Sequence, residues 1–296
     1  MSRTDLKVGF ACNNRCVFCA QGSKRERAPA IGRANLRNAL ADGRRTSDSL
    51  VVTGGEPTVR RDLCDLVAEA RAIGYRRVQI QTNGRMLAYR GLCEALLRAG
   101  ATEFSPALHG DTAELHDALT GAPKSFAQTV AGIRNLVALG ARVLSNTVVV
   151  RPNVARLPAV ATLLCDLGVA QYQLAYVHPV GTAAERFDEV VPRPRDLVPW
   201  LHDALDVGRR RGVPSYAEAV PLCLLRGREW AASEAIMPRT VVFDLGRVVD
   251  FEAYRHGEGK AHGPQCARCT WLDRCEGPWR ETPERFGWQD FEPRSD

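Results

Sequence analysis

Apolar residues recur at helical spacing in several stretches of this chain, and each such stretch ends at a glycine that precedes a short β-type run. Leu63, Leu66, Val67, Ala70 and Ile73 lead to Gly74 and then to Val78-Gln79-Ile80-Gln81. Leu92, Cys93, Leu96 and Leu97 lead to Gly100 and a run at 103–108. Phe126, Val130, Ile133 and Val137 lead to Gly140 and a run at 143–150. Leu157, Val160, Leu164 and Leu167 lead to Gly168 and a run at 172–177. Glycine is favoured just past a helix C-terminus because it takes the left-handed conformation without a Cβ clash. With two earlier strands predicted at 7–10 and 50–53, the chain reads as about six β/α units.

Strands alternating with helices predict a parallel sheet with helices outside it. Almost every strand runs into special residues. These are Cys12, Cys16 and Cys19; Gly54-Gly55-Glu56-Pro57; Asn83-Gly84; His109-Gly110; Arg151-Pro152-Asn153; and His178-Pro179. In a barrel all such ends meet at one mouth, whereas a doubly wound sheet uses only those at its switch point. The expected fold is therefore α/β, a partial (β/α)6 TIM-like barrel over residues 1–212. A helix starting near Asp196 closes it at Arg209-Arg210-Arg211-Gly212, where cations suit a helix C-terminus. Beyond it, 240–244 and 247–251 flank Leu245-Gly246 and predict a β-hairpin. Residues 213–296 are expected to form a second, smaller module carrying Cys223, Cys266, Cys269 and Cys275.

Composition narrows the class. Forty Lys+Arg against 34 Asp+Glu leave 40 − 34 = +6, a mild charge that does not argue for nucleic acid. Hydrophobic residues at 45% exclude disorder as the main state. The longest apolar runs are strand-length, which argues against a membrane span. The N-terminus shows no basic region followed by an apolar stretch, so no signal peptide is expected and the protein is expected in the cytoplasm. Ten cysteines without a secretion signal do not read as a disulfide framework.

Cys12, Cys16 and Cys19 follow the first strand with Cys-x3-Cys-x2-Cys spacing. Structural zinc takes four protein ligands, and no fourth Cys or His lies nearby. A 4Fe-4S cluster has four irons that each need an outside ligand, so three cysteines leave one iron open. The string Cys12-Asn13-Asn14-Arg15-Cys16-Val17-Phe18-Cys19 resembles the signature of the radical S-adenosylmethionine (SAM) superfamily. The resemblance implies that these three cysteines hold the SAM-binding 4Fe-4S cluster and that Phe18 borders the adenine. Gly54-Gly55-Glu56-Pro57 resembles the segment that binds the SAM amino group in this family. Glycines there let backbone approach closely, and carbonyls with Glu56 can accept from an ammonium. Asn83 and Asn146 resemble later polar positions that touch the ribose or carboxylate of SAM. One position departs: Ala107 stands where the family often has serine, and Ser105 lies two residues early. His109 is placed at the barrel mouth, with a structural and a catalytic role both open.

Cys266-x2-Cys269-x5-Cys275 is a metal knuckle lacking one ligand, and Cys223 is the best fourth member. Four thiolates suit zinc or a fully ligated 4Fe-4S cluster, which spacing does not separate. The tail resembles the SPASM and Twitch extensions of radical SAM enzymes, and with four spare cysteines the resemblance implies one auxiliary 4Fe-4S cluster. Cys64, Cys93 and Cys165 fall on predicted helices and are expected to pack in the core.

The resemblance implies reductive cleavage of SAM to a 5′-deoxyadenosyl radical that takes hydrogen from a substrate. It implies a low-potential donor of ferredoxin or flavodoxin type as partner. Oxidative peptide modification is the favoured outcome, and dehydrogenation or rearrangement of a small molecule is the alternative. A non-catalytic zinc or redox-sensing protein is the reading from another class. Tyr176, His178 and Glu185 are candidates to face the substrate, and no catalytic acid or base is assigned.

Overall fold

The computed structural model describes residues 2–295. Nine strands form one sheet in the order β7-β6-β5-β4-β3-β2-β1-β8-β9. They are β1 (Ser2–Lys7), β2 (Ser49–Thr53), β3 (Arg77–Thr82), β4 (Glu103–Pro106), β5 (Arg142–Val149), β6 (Gln171–Tyr176), β7 (Ser215–Glu218), β8 (Arg239–Asp244) and β9 (Arg247–Asp250). All neighbours are parallel except the β8–β9 hairpin. β7 and β9 end the order without pairing to each other, so the barrel is open.

The expected α/β partial barrel is therefore present, with two differences at its margins. The first strand spans Ser2–Lys7 rather than 7–10, because Thr4 to Lys7 pair with Leu50 to Thr53 and the chain then turns at Gly9. The sheet also crosses the division expected at 212/213. β7 adds to β6, and the predicted hairpin docks its strand β8 in parallel on β1. Long-range pairing of this kind leaves no trace in local periodicity.

Strand register gives the barrel two unlike faces. Leu6, Val52, Ile80, Phe104 and Val143 are successive cross-strand partners, all buried at 1% exposure or less. Helices such as Leu63–Ala72, Arg90–Ala99 and Ser125–Ala138 bury their apolar residues in this same core. Each fully buried Leu, Ile or Phe contributes about 1.5–3 kcal/mol. The opposite face carries the row Asp5, Val51, Gln79, Glu103 and Arg142, with Lys7 beside Thr53. Barrel interiors are usually filled with branched apolar residues. Here the inner face mixes charged and amide side chains with the buried Val51, so it is not a second apolar core.

Candidate active site

The loop after β1 carries Cys12, Cys16 and Cys19, and backbone bonds hold it from three sides. Arg15 N donates to Thr120 O at 2.8 Å, Val17 N to Leu119 O at 3.0 Å, and Thr182 N to Cys19 O at 3.0 Å. The segment after β2 runs alongside. Gly55 N donates to Gly9 O at 2.8 Å and Glu56 N to Ala11 O at 2.9 Å. A Cβ on Gly54 would lie 2.2 Å from Gly9 O, and one on Gly55 2.3 Å from Phe10 O. These glycines are thus required by the protein's own cysteine loop. Pro57 starts the short turn that follows and is buried.

Glu56 is buried and already engaged. Its Oε1 accepts from Thr58 N at 3.0 Å and Thr82 Oγ1 at 2.6 Å, and its Oε2 accepts from Asn83 N at 2.6 Å. Burial pushes its carboxyl pKa up, and the Asn83, Thr58 and Thr82 donors oppose that shift. Asn83 joins the third strand end to the cysteine loop through Nδ2 donating to Asn13 Oδ1 at 2.6 Å. Arg85, which sequence reasoning missed, donates to Asn13 O and to Asn14 Oδ1. Its only signal in the sequence is its place two residues after Asn83.

The three thiols are half-buried and free. Burial, then the neighbouring Cys19 and Cys12, pushes Cys16 up to about 12, and burial also raises Cys12. Phe18 is buried and meets His109 edge-on at 4.9 Å. Asn146, on the inner face of β5, forms a bridge with Ala107. Its Oδ1 is buried without a hydrogen-bond partner. Such an orphaned acceptor needs a donor from outside the chain.

His109 sits inside the wall. Its Nδ1 accepts from Val148 N at 3.2 Å, its N donates to His116 Nδ1 at 3.1 Å, and its carbonyl accepts from Asn153 Nδ2 at 2.9 Å. Of its two open roles the structural one is what the contacts support. Burial drives His109 down to about 3 and His116 down to about 4. Both are therefore neutral in the fold, whereas an unfolded histidine titrates near 6.5. Stability is then full above that value and falls as pH drops, by up to ~1.4 kcal/mol per pH unit for each histidine. Urea unfolding between pH 6.5 and 5 is expected to show this slope, and His109→Asn to remove about one proton from it. An unchanged slope would count against the buried neutral pair.

The second cysteine group also comes together. Cys223, Cys266, Cys269 and Cys275 line one cavity with Trp271 and Trp288, about 410 Å³ with its open mouth included. Burial, then Cys275, Cys266 and Cys269, pushes the Cys223 thiol up to about 12. Among the described residues no three His, Cys, Asp or Glu side chains converge tightly enough for a single metal ion. The four thiols instead surround a shared space. Cys93 is buried with its Sγ donating to Leu87 O, and Cys64 and Cys165 pack against the core.

Three thiols, a glycine-walled turn and an orphaned acceptor thus gather at strand ends of an open parallel α/β barrel. The family description "Radical SAM superfamily" matches residues 6–164. The chain belongs to this superfamily, whose members are enzymes that use a 4Fe-4S cluster and SAM. It is 30% identical over 245 residues to a probable GTP 3′,8-cyclase of Saccharolobus solfataricus, covering 81% of this chain and 73% of that protein. It is 28% identical over 201 residues to an AdoMet-dependent heme synthase of Oleidesulfovibrio alaskensis, covering 67% of this chain and 51% of that protein. It thus spans about half of that synthase, and 60% of a Saccharolobus islandicus cyclase. Among solved structures, anSMEcpe with bound AdoMet and a peptide has a TM-score of 0.69 at 15% identity, covering 98% of this chain and 95% of that chain. Streptococcus suis SuiB bound to its precursor peptide has a TM-score of 0.68 at 14% identity, covering 93% of this chain and 71% of that chain. No helix among the described residues is long and apolar enough to cross a membrane.

Proposed function

We propose that Cys12, Cys16 and Cys19 hold the SAM-binding cluster, and that Cys223, Cys266, Cys269 and Cys275 hold one auxiliary 4Fe-4S cluster in the 213–296 part of the chain. Phe18, Gly54, Gly55, Glu56, Pro57, Asn83 and Asn146 form the SAM-binding surround. Bound there, the cluster and SAM would supply radical chemistry at a carbon–hydrogen bond of the substrate. The residues fit these groups: three thiols leave one iron for SAM, and Asn146 Oδ1 awaits a donor. Glu56 Oε1 is fully engaged and Oε2 accepts from Asn83 N, so the backbone carbonyls of the turn, with one open position on Oε2, accept from the SAM ammonium. Phe18 and the buried wall at His109 keep water from one side of the site.

The reaction is an oxidative modification of a peptide, and the observation that carries it is the second thiol site. Four thiols around one cavity fit a fully ligated 4Fe-4S cluster, which would supply a place for one electron in an oxidative step. The inner face carries Asp5, Lys7, Gln79 and Glu103, side chains able to hydrogen-bond a polar substrate. SuiB and anSMEcpe, described with bound peptides, share this fold. A small-molecule substrate is the second reading, favoured by the names of the heme synthase and GTP cyclase relatives. A ferredoxin- or flavodoxin-type donor in a reducing cytoplasm would supply the electron.

Anaerobic reconstitution tests the reading. About eight irons per chain are expected, with 5′-deoxyadenosine formed from SAM and dithionite. Cys266→Ala with Cys269→Ala is expected to leave about four irons and to retain SAM cleavage while losing product. One zinc per chain at the tail, or full coupled turnover in the double variant, would overturn the auxiliary assignment.

A further inference from the structure

Beside the four-cysteine cavity lies a buried set of charges that the proposed chemistry does not use. Glu276 directly follows Cys275. Arg255 donates to Glu276 through Nε at 2.9 Å and Nη2 at 3.0 Å. Lys260 Nζ stands 2.9 Å from Glu276 Oε2 and 2.7 Å from Glu234 Oε1. Both cations are sequestered: Arg255 is 4% exposed and Lys260 4%. Backbone pairing fixes the lysine there. Ala261 N donates to Pro278 O at 3.1 Å, Lys260 bridges Trp279, and a Cβ on Gly277 would strike Ala261 O at 2.1 Å. Glu234 in turn accepts from Ala219 N at 2.7 Å, just past the end of β7.

Desolvating charges costs about as much as their pairing returns, so stability is a poor reason for burying two cations here. Their location suggests a better one. The segment of Lys260 runs beside that of Gly277, which lines the cavity with Cys275. Lys260 thus sets its charge against the carboxylate of the residue next to Cys275. A cluster held by four thiolates gains negative charge on reduction, and in a poorly solvated site a nearby cation stabilises that added charge strongly.

We propose that Lys260 and Arg255 are positioning residues that raise the reduction potential of the centre held by Cys223, Cys266, Cys269 and Cys275, with Glu276 and Glu234 fixing them in place and moderating their effect. The inference rests on the auxiliary-cluster reading above.

Potentiometric titration of the reconstituted full-length protein, followed by electron paramagnetic resonance, tests it. Lys260→Met is expected to move the auxiliary midpoint to more negative potential. Glu276→Gln is expected to move it to more positive potential, and Lys260→Arg to leave it near that of the unaltered protein. The midpoint of the Cys12/Cys16/Cys19 centre stays put in all three. Opposite shifts from the two charge changes are a signature that loosened packing alone does not produce. If Lys260→Met loads only about four irons, Glu276→Gln and Lys260→Arg decide the matter. Midpoints that do not move, or move the same way, at about eight irons per chain overturn the inference alone. An unaltered protein that loads only about four irons overturns the auxiliary-cluster reading and the inference with it.

Discussion

Replacing Cys12, Cys16 and Cys19 together by alanine is expected to reduce 5′-deoxyadenosine formation from SAM and dithionite to background. Each iron of a cubane needs an outside ligand, and these three thiols supply all that the first site has. The loop itself should survive. Its path is set by backbone bonds from Arg15 and Val17 to Thr120 and Leu119, by Thr182 on Cys19, and by Arg85 on Asn13 and Asn14. The three cysteines are half-buried, with Cys16 at the edge of the core. Far-ultraviolet circular dichroism should therefore match the parent, and about four irons should remain in the tail. Chromatographic detection of 5′-deoxyadenosine at parental levels would remove these cysteines from the reaction.

Gly54→Ala is expected to be nearly as severe by a different route. Gly54 has φ of +135°, a conformation that side chains rarely adopt. Its added Cβ would lie 2.2 Å from the Gly9 carbonyl oxygen. That oxygen also accepts from Gly55 N, so the carbonyl cannot turn away without losing a bond that ties the turn to the cysteine loop. Overpacking of about 1–3 kcal/mol adds to backbone strain of about 1–3 kcal/mol. A melting temperature several degrees lower is expected, with impaired SAM binding. Gly32→Ala is the control, since a Cβ there would meet nothing within 4 Å and its φ is ordinary. Equal behaviour of the two variants in thermal melts and SAM titrations would show that the close approach has no consequence.

Much of the fold was legible because parallel β/α units repeat a local pattern. Gly100 caps its helix in the left-handed conformation, as its position after Leu96 and Leu97 predicts. The helix closing at Gly212 ends there for the same reason. Less legible was the polar inner face, because Gln79, Glu103 and Arg142 become neighbours only through register. The first strand was displaced because Val8 and Phe10 are apolar and buried yet lie beyond the end of β1. For Glu56 the expected contact was an outside ammonium, whereas the fold spends most of its lone pairs on Thr58, Thr82 and Asn83.

Taken by itself, the order of residues determined the class of chain: alternating strands and helices, three thiols spaced for a site one ligand short, and a knuckle in the tail. These are local facts, set by backbone geometry and by the number of ligands a metal centre requires. Only the tertiary structure decided that Cys223 joins Cys266, Cys269 and Cys275 around one cavity, and that β8 extends the barrel by pairing with β1. It alone buried His109 in the wall and set Lys260 and Arg255 beside the segment of Cys275. Those outcomes depend on which distant segments share a low-dielectric space, where desolvation and pairing settle the charges, and spacing along the chain does not encode that.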